Sequence, residues 1–176
     1  EKNNNAEFIH KSITEITGND INPFFQNADI KVLVGCAPCQ PFSKYQKSKK
    51  KHKDWGLLYE FLRLIKEVNP DIVSMENVPN LEKETIFNDF LEELKKEGYF
   101  LTYKIQNSAE CGVPQKRNRL LLLASKFGMI DFIQKEYKKI TLKEAIGKLP
   151  IISAGIKINS EDYIHISSRL TAINLM

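Results

Sequence analysis

The densest group of reactive side chains is Cys36-Ala37-Pro38-Cys39, inside the run GCAPCQPFS. Three chemistries use such a pair. A zinc site needs about four ligands, and no second Cys/His pair stands at suitable spacing. A dithiol redox pair follows a strand and opens directly into a helix. Here Pro41 and a lysine-rich stretch follow, which are poor helix material. The third chemistry is nucleophilic attack by Cys39 alone. A thiol titrates near pH ~8.5 and becomes reactive where cations or dipoles favour its thiolate. Arg117 and Arg119 are candidate cations, and Cys36 is then expected to be a buried structural cysteine.

The elements that must position these groups can be read from apolar spacing. KVLVGC (31–36) is a continuous apolar run, the pattern of a strand buried on both faces. GLLYEFLRLIKEV (56–68) places Leu58, Phe61, Leu62 and Ile65 on one helical face and stops at Asn69-Pro70. DIVSME (71–76) is a second buried strand, parallel to the first through a β-loop-α-β connection. ETIFNDFLEELKKEG (84–98) predicts a helix with Ile86, Phe90, Leu91 and Leu94 inward and Gly98 just past its end. YFLTYKIQN (99–107) and NRLLLLAS (118–125) predict two strands joined by the polar segment SAECGVPQKR. Thr141 and Glu144 form a capping box for the short helix TLKEAIGKL. Alternation of strands and helices defines an open α/β sheet, mostly parallel with an antiparallel strand pair near its end.

Open α/β sheets bind ligands beyond the carboxyl ends of their strands. Cys39 follows the first strand and Glu76 ends the next, so both side chains are expected on one rim.

With order and spacing in place, three motifs carry a family resemblance. Pro38-Cys39-Gln40 resembles the catalytic motif of DNA cytosine-5 methyltransferases, Glu76-Asn77-Val78 the ENV motif of that family, and Gln115-Lys116-Arg117-Asn118-Arg119 its QxRxR motif. The resemblance covers nearly the whole chain and implies a Rossmann-like class I methyltransferase sheet, here incomplete. It implies that Cys39 attacks C6 of a flipped cytosine, so that C5 accepts a methyl group from S-adenosylmethionine. Glu76 is then the acid near N3, preferably with a raised pKa. Arg119 holds the cytosine O2, and Arg117 supports the catalytic segment and a phosphate. Residues 41–55 occupy the place of the family's lid. Gln40, Ser43, Lys44, Lys47 and Gln115 are candidate DNA contacts, and six lysines lie within 44–53. For the cofactor, the resemblance suggests Glu1 at the ribose, Asp20 and Ile21 at the adenine with Leu58 as apolar neighbour, and Pro38.

The family's glycine-rich cofactor turn has no counterpart, since no GxG occurs in the chain. The expectation is a partial catalytic domain over 1–150 and, over 151–176, a connection toward a recognition domain lying outside the chain. Its partners would be double-stranded DNA and S-adenosylmethionine, with no metal, and the chain a monomer that needs the missing segments or a complementing polypeptide for activity. A non-catalytic nucleic-acid-binding remnant and an RNA cytosine methyltransferase are the competing functions. The bulk figures agree with one globular domain: 176 residues, 42% hydrophobic, net charge +4 and three cysteines. An odd cysteine count and the absence of an apolar run of ~20 residues argue for a reducing, intracellular setting without a membrane span, and the family resemblance implies the cytoplasm of a prokaryotic cell.

Overall fold

A computed structural model describes residues 6–37, 56–133, 137–149, 151 and 155. The chain divides into two compact units, Glu1–Lys139 and Ile140–Met176.

In the first unit, a four-residue helix α1 (Gly18–Ile21) runs into a 3-10 turn (Asn22–Phe25). Strand β1 (Val32–Gly35), helix α2 (Leu57–Val68), strand β2 (Ile72–Asn77) and helix α3 (Thr85–Lys96) follow. A β3–β4 hairpin (Phe100–Asn107 and Asn118–Ser125) completes the sheet. Helix α2 ends at Asn69 in the left-handed region (φ 50), whose N–H donates to the Ile65 carbonyl. Asparagine tolerates that conformation, and Pro70 prevents continuation. Gly98 (φ +85) does the same after α3, where Lys95 and Lys96 face the negative end of the helix dipole.

The strand order is β1-β2-β4-β3. β1 pairs parallel to β2, with Gly35 opposite Met75. β4 runs antiparallel to both neighbours, with Glu76 opposite Leu121 on one side and Ile105 opposite Leu120 on the other. Three strands therefore share one direction, and β4 is inserted between β2 and β3 against it.

Helices α2 and α3 cover one sheet face. Phe61 of α2 stacks on Phe90 of α3 with ring centroids 6.1 Å apart, above Val73, Met75, Leu120 and Leu122. Each such buried side chain contributes about 1.5–3 kcal/mol of transfer free energy. The reading of β1 as buried on both faces is corrected: it is an edge strand, and Val32 and Val34 are 44% and 70% exposed. A run of apolar residues reports what a strand could bury, not whether a neighbour covers it.

Gly35 sits directly under the Phe61 ring. An ideal Cβ there would lie 2.5 Å from the ring carbons. Gly35→Ala is expected to push the ring off its seat and cost about 1–3 kcal/mol. A lowered urea midpoint at unchanged slope would show it; an unshifted midpoint would mean that the ring yields freely.

The second unit contains α4 (Leu142–Ile146). Thr141 accepts from the Glu144 N–H, and the Glu144 carboxylate accepts from the Thr141 N–H, which is the capping box expected. Leu142 and Ile146 are exposed.

Candidate active site

The rim of the sheet is where β1 and β2 end and β4 begins, because β4 is reversed. Glu76, the penultimate residue of β2, pairs through Oε1 with the Arg119 guanidinium at the start of β4. Its other oxygen, Oε2, accepts from the thiol of Cys36, 2.9 Å away and one residue beyond β1. Three consecutive neighbours in the sheet thus bring a carboxylate, a guanidinium and a thiol together. Cys36 is exposed and hydrogen-bonded, so its expected role as a buried structural cysteine is also corrected. The Glu76 hydrogen bond, with burial and the same carboxylate's charge, pushes the Cys36 thiol up to about 11. At neutral pH it is a donor and not a nucleophile.

Arg117 and Arg119 are held at the rim by the β3–β4 connection. Asn107 caps a 3-10 turn over Ser108–Cys111, and Gly112 (φ +78) reverses the chain. Ser108 then closes the loop through its N–H and its hydroxyl. Its N–H donates to the Arg117 carbonyl at 3.0 Å and its hydroxyl to the Gln115 carbonyl at 2.6 Å. Arg117 is near enough to Cys36 for its charge to oppose the rise in that thiol's pKa. Glu76, Gln106, Cys111, Arg117 and Arg119 line a cavity of about 210 Å³.

Asn77 is buried behind this rim. Its amide donates to the Ala37 carbonyl at 3.1 Å, and its side-chain oxygen accepts from the Val78 N–H at 2.8 Å. The residue after Glu76 therefore ties the end of β2 to the backbone that leaves β1 toward residue 38. Sequence reading named Asn77 only as the middle of the Glu76-Asn77-Val78 motif and gave it no role.

A second cavity, about 440 Å³, lies along the outer edge of β1. Ser12, Ile13 and Ile16 form one wall, Leu57, Phe61 and Leu64 of α2 another, and Leu33 to Ala37 the floor. Arg63 fixes the first wall to α2. One guanidinium nitrogen donates to the carbonyls of Ile13 and Ile16, both at 2.9 Å, while Glu60 and Glu67 hold the other two. Glu67 also accepts from the Gly18 N–H at 2.6 Å.

Asp20, Ile21 and Leu58, expected at the cofactor, do not line this cavity. Asp20 binds Lys11 at 2.6 Å and closes a capping box with Thr17, and these contacts hold its carboxyl down at about 2. Ile21 ends the same short helix. Leu58 is buried in the core, one position round the helix from the cavity-lining Leu57. Glu1, Pro38, Cys39, Gln40, Ser43, Lys44 and Lys47 lie outside the described residues. Gln115 is exposed on the β3–β4 connection. Among the described residues, no group of three or more potential metal ligands occurs and no helix is long and apolar enough to cross a membrane.

A mixed four-stranded sheet with helices packed on it agrees with the incomplete class I methyltransferase sheet that the sequence implied. Known proteins narrow this. The profile of the C-5 cytosine-specific DNA methylase family matches residues 1–168, and the chain belongs to that family. It is 41% identical to the type II methylase M.HgiDII of Herpetosiphon aurantiacus over 99% of its own length and 51% of that protein. With the type II methyltransferase M.BsuFI of Bacillus subtilis, identity is 32% over 73% of the chain and 32% of the relative. The chain thus spans about half the length of M.HgiDII and a smaller share of M.BsuFI. The fold also superimposes on the Entamoeba histolytica methyltransferase EhMeth with a TM-score of 0.62, at 22% identity, over 78% of this chain and 44% of that one.

Proposed function

We propose that this chain carries the base-modifying half of a DNA cytosine-5 methyltransferase that uses S-adenosylmethionine. The observation that carries the reading is the Glu76–Arg119 pair, set on the rim beside Cys36 and Ala37, which precede Pro38-Cys39-Gln40 in the sequence. Cytosine C5 is a poor nucleophile. Addition of the Cys39 thiolate to C6 makes C5 enamine-like while electron density moves toward N3. Glu76 meets that density with a proton or a hydrogen bond at N3. Arg119, already fixed to Glu76, reaches the neighbouring O2, and Arg117 faces a phosphate. After C5 is methylated, loss of its proton to a base expels Cys39. The lysines of 44–53 supply phosphate contacts that offset the cost of base flipping.

S-adenosylmethionine, when bound, supplies the electrophilic methyl group. The 440 Å³ cavity fits such a ligand: its size is that of small-ligand sites, and its walls are apolar with a few polar atoms. Ile13, Ile16 and Phe61 would take the flat apolar part, and the Ser12 hydroxyl would take a polar edge. Arg63 would act on this site through the wall it holds. Arg63→Ala in the natural gene product is expected to raise the Kd for S-adenosylmethionine about tenfold, the scale of losing hydrogen bonds from a charged donor. Arg63→Lys should lie between the two. Equal calorimetric Kd values for all three would remove Arg63 from the account.

The functional reading is tested with DNA in which the target cytosine is 5-fluorocytosine. Fluorine cannot leave as a proton does, so the natural gene product with S-adenosylmethionine should form a protein–DNA adduct that survives denaturation. If none forms on DNA that the same preparation is shown to bind, the proposal is wrong.

A further inference from the structure

We propose that Cys36 is a positioning residue for Glu76, its thiol donating to one carboxylate oxygen while Arg119 holds the other. The inference rests on the methyltransferase reading and concerns how its acid is held. Glu76 is partly exposed, at 39% of its side chain. A carboxyl group in that setting rotates about its last torsion unless both oxygens have fixed donors. Here the donors come from two different strands flanking β2: Arg119 on β4 binds Oε1, and Cys36 at the end of β1 binds Oε2 at 2.9 Å. Neither donor alone defines the plane of the group; the two together do.

The Cys36 thiol suits this task. It stays protonated across the working range because the carboxylate beside it opposes thiolate formation. It is therefore a permanent donor, and it cannot compete with Cys39 for the base. Among the described residues, the charged groups facing the pair are Arg119 from β4 and Arg117 from the β3–β4 connection. Cys111 shares the Glu76 cavity as a further thiol. Asn77 fastens the same two strand ends from beneath through Ala37, so the Cys36–Glu76 contact joins segments already in register.

The test uses Cys36→Ala and Cys36→Ser in the natural gene product. At saturating DNA and S-adenosylmethionine, Cys36→Ala should lower kcat about tenfold while both KM values stay within about twofold. Cys36→Ser, which keeps a donor, should recover to within about threefold of the wild type. A second assay needs no turnover: alkylation of each cysteine at about pH 8, mapped by peptide mass. Wild-type Cys36 should react slowly, and Glu76→Gln should raise its rate about tenfold by removing the charge that suppresses its thiolate. Wild-type kcat in Cys36→Ala, or equal losses in the alanine and serine variants, would overturn the positioning role. An unchanged Cys36 alkylation rate in Glu76→Gln would overturn the contact itself. A gene product that methylates no DNA cytosine would sink the functional reading, and the alkylation comparison would still decide whether Cys36 holds Glu76.

Discussion

Cys39→Ser in the natural gene product is expected to lower methyl transfer to DNA by a factor on the order of 10⁴ or more, and to abolish the 5-fluorocytosine adduct. Serine keeps the size of the side chain and loses the chemistry. Its hydroxyl is far harder to ionise than a thiol and adds poorly to C6. Rescue from the nearby thiol is not expected. Cys36 is committed to Glu76 and held as S–H with a pKa of about 11, so only a small fraction is thiolate at neutral pH. Cys111 lines the Glu76 cavity and is the other thiol beside Glu76 among the described residues. The measurement is incorporation of labelled methyl groups beside denaturing electrophoresis of the adduct. An adduct that persists in Cys39→Ser would move the nucleophile to one of those two residues.

Glu76→Gln should produce the second-largest effect, a fall in kcat of about 10²–10⁴, the usual range for loss of a general acid. Glutamine fills the same space but carries no titratable proton for N3, and it cannot neutralise Arg119. The variant is informative because its structural cost is small. The Glu76–Arg119 pair is partly exposed on both sides, so its contribution to stability is at most about 1 kcal/mol. Thermal unfolding should therefore hardly move while turnover collapses. Loss of Tm in proportion to loss of rate would assign Glu76 a scaffolding task instead.

Much of this arrangement was legible in the sequence where the information is local. Apolar spacing of 3.6 located α2 and α3 with their inward residues, and Asn69-Pro70 and Gly98 marked their ends. The strand runs placed Glu76 on the rim because direction follows from a β-loop-α-β unit. Asp20, which the family resemblance sets at the cofactor, closes a capping box with Thr17 three residues before it, a local pattern that the sequence reading did not use. What could not be read is non-local. The Arg63 contacts to residues 13 and 16 and the Asn77 contact to Ala37 cross 40 to 50 positions, and no periodicity records them. Burial of β1 failed for a related reason, since exposure of Val34 depends on what lies over the sheet.

The reversed strand β4 also fixes when the site comes into being. Among the described residues it is the last strand of its sheet in chain order, yet it occupies an interior place, laddered to β2 on one side and β3 on the other. As the polypeptide leaves the ribosome, β1, α2, β2, α3 and β3 emerge first, and β2 and β3 must wait with unpaired edges for residues 118–125. Glu76 has no guanidinium partner until that insertion occurs. Pairing of Glu76 with its guanidinium and filling of the gap between β2 and β3 are then one event, so a nascent chain that stops short of residue 118 carries the acid without its clamp.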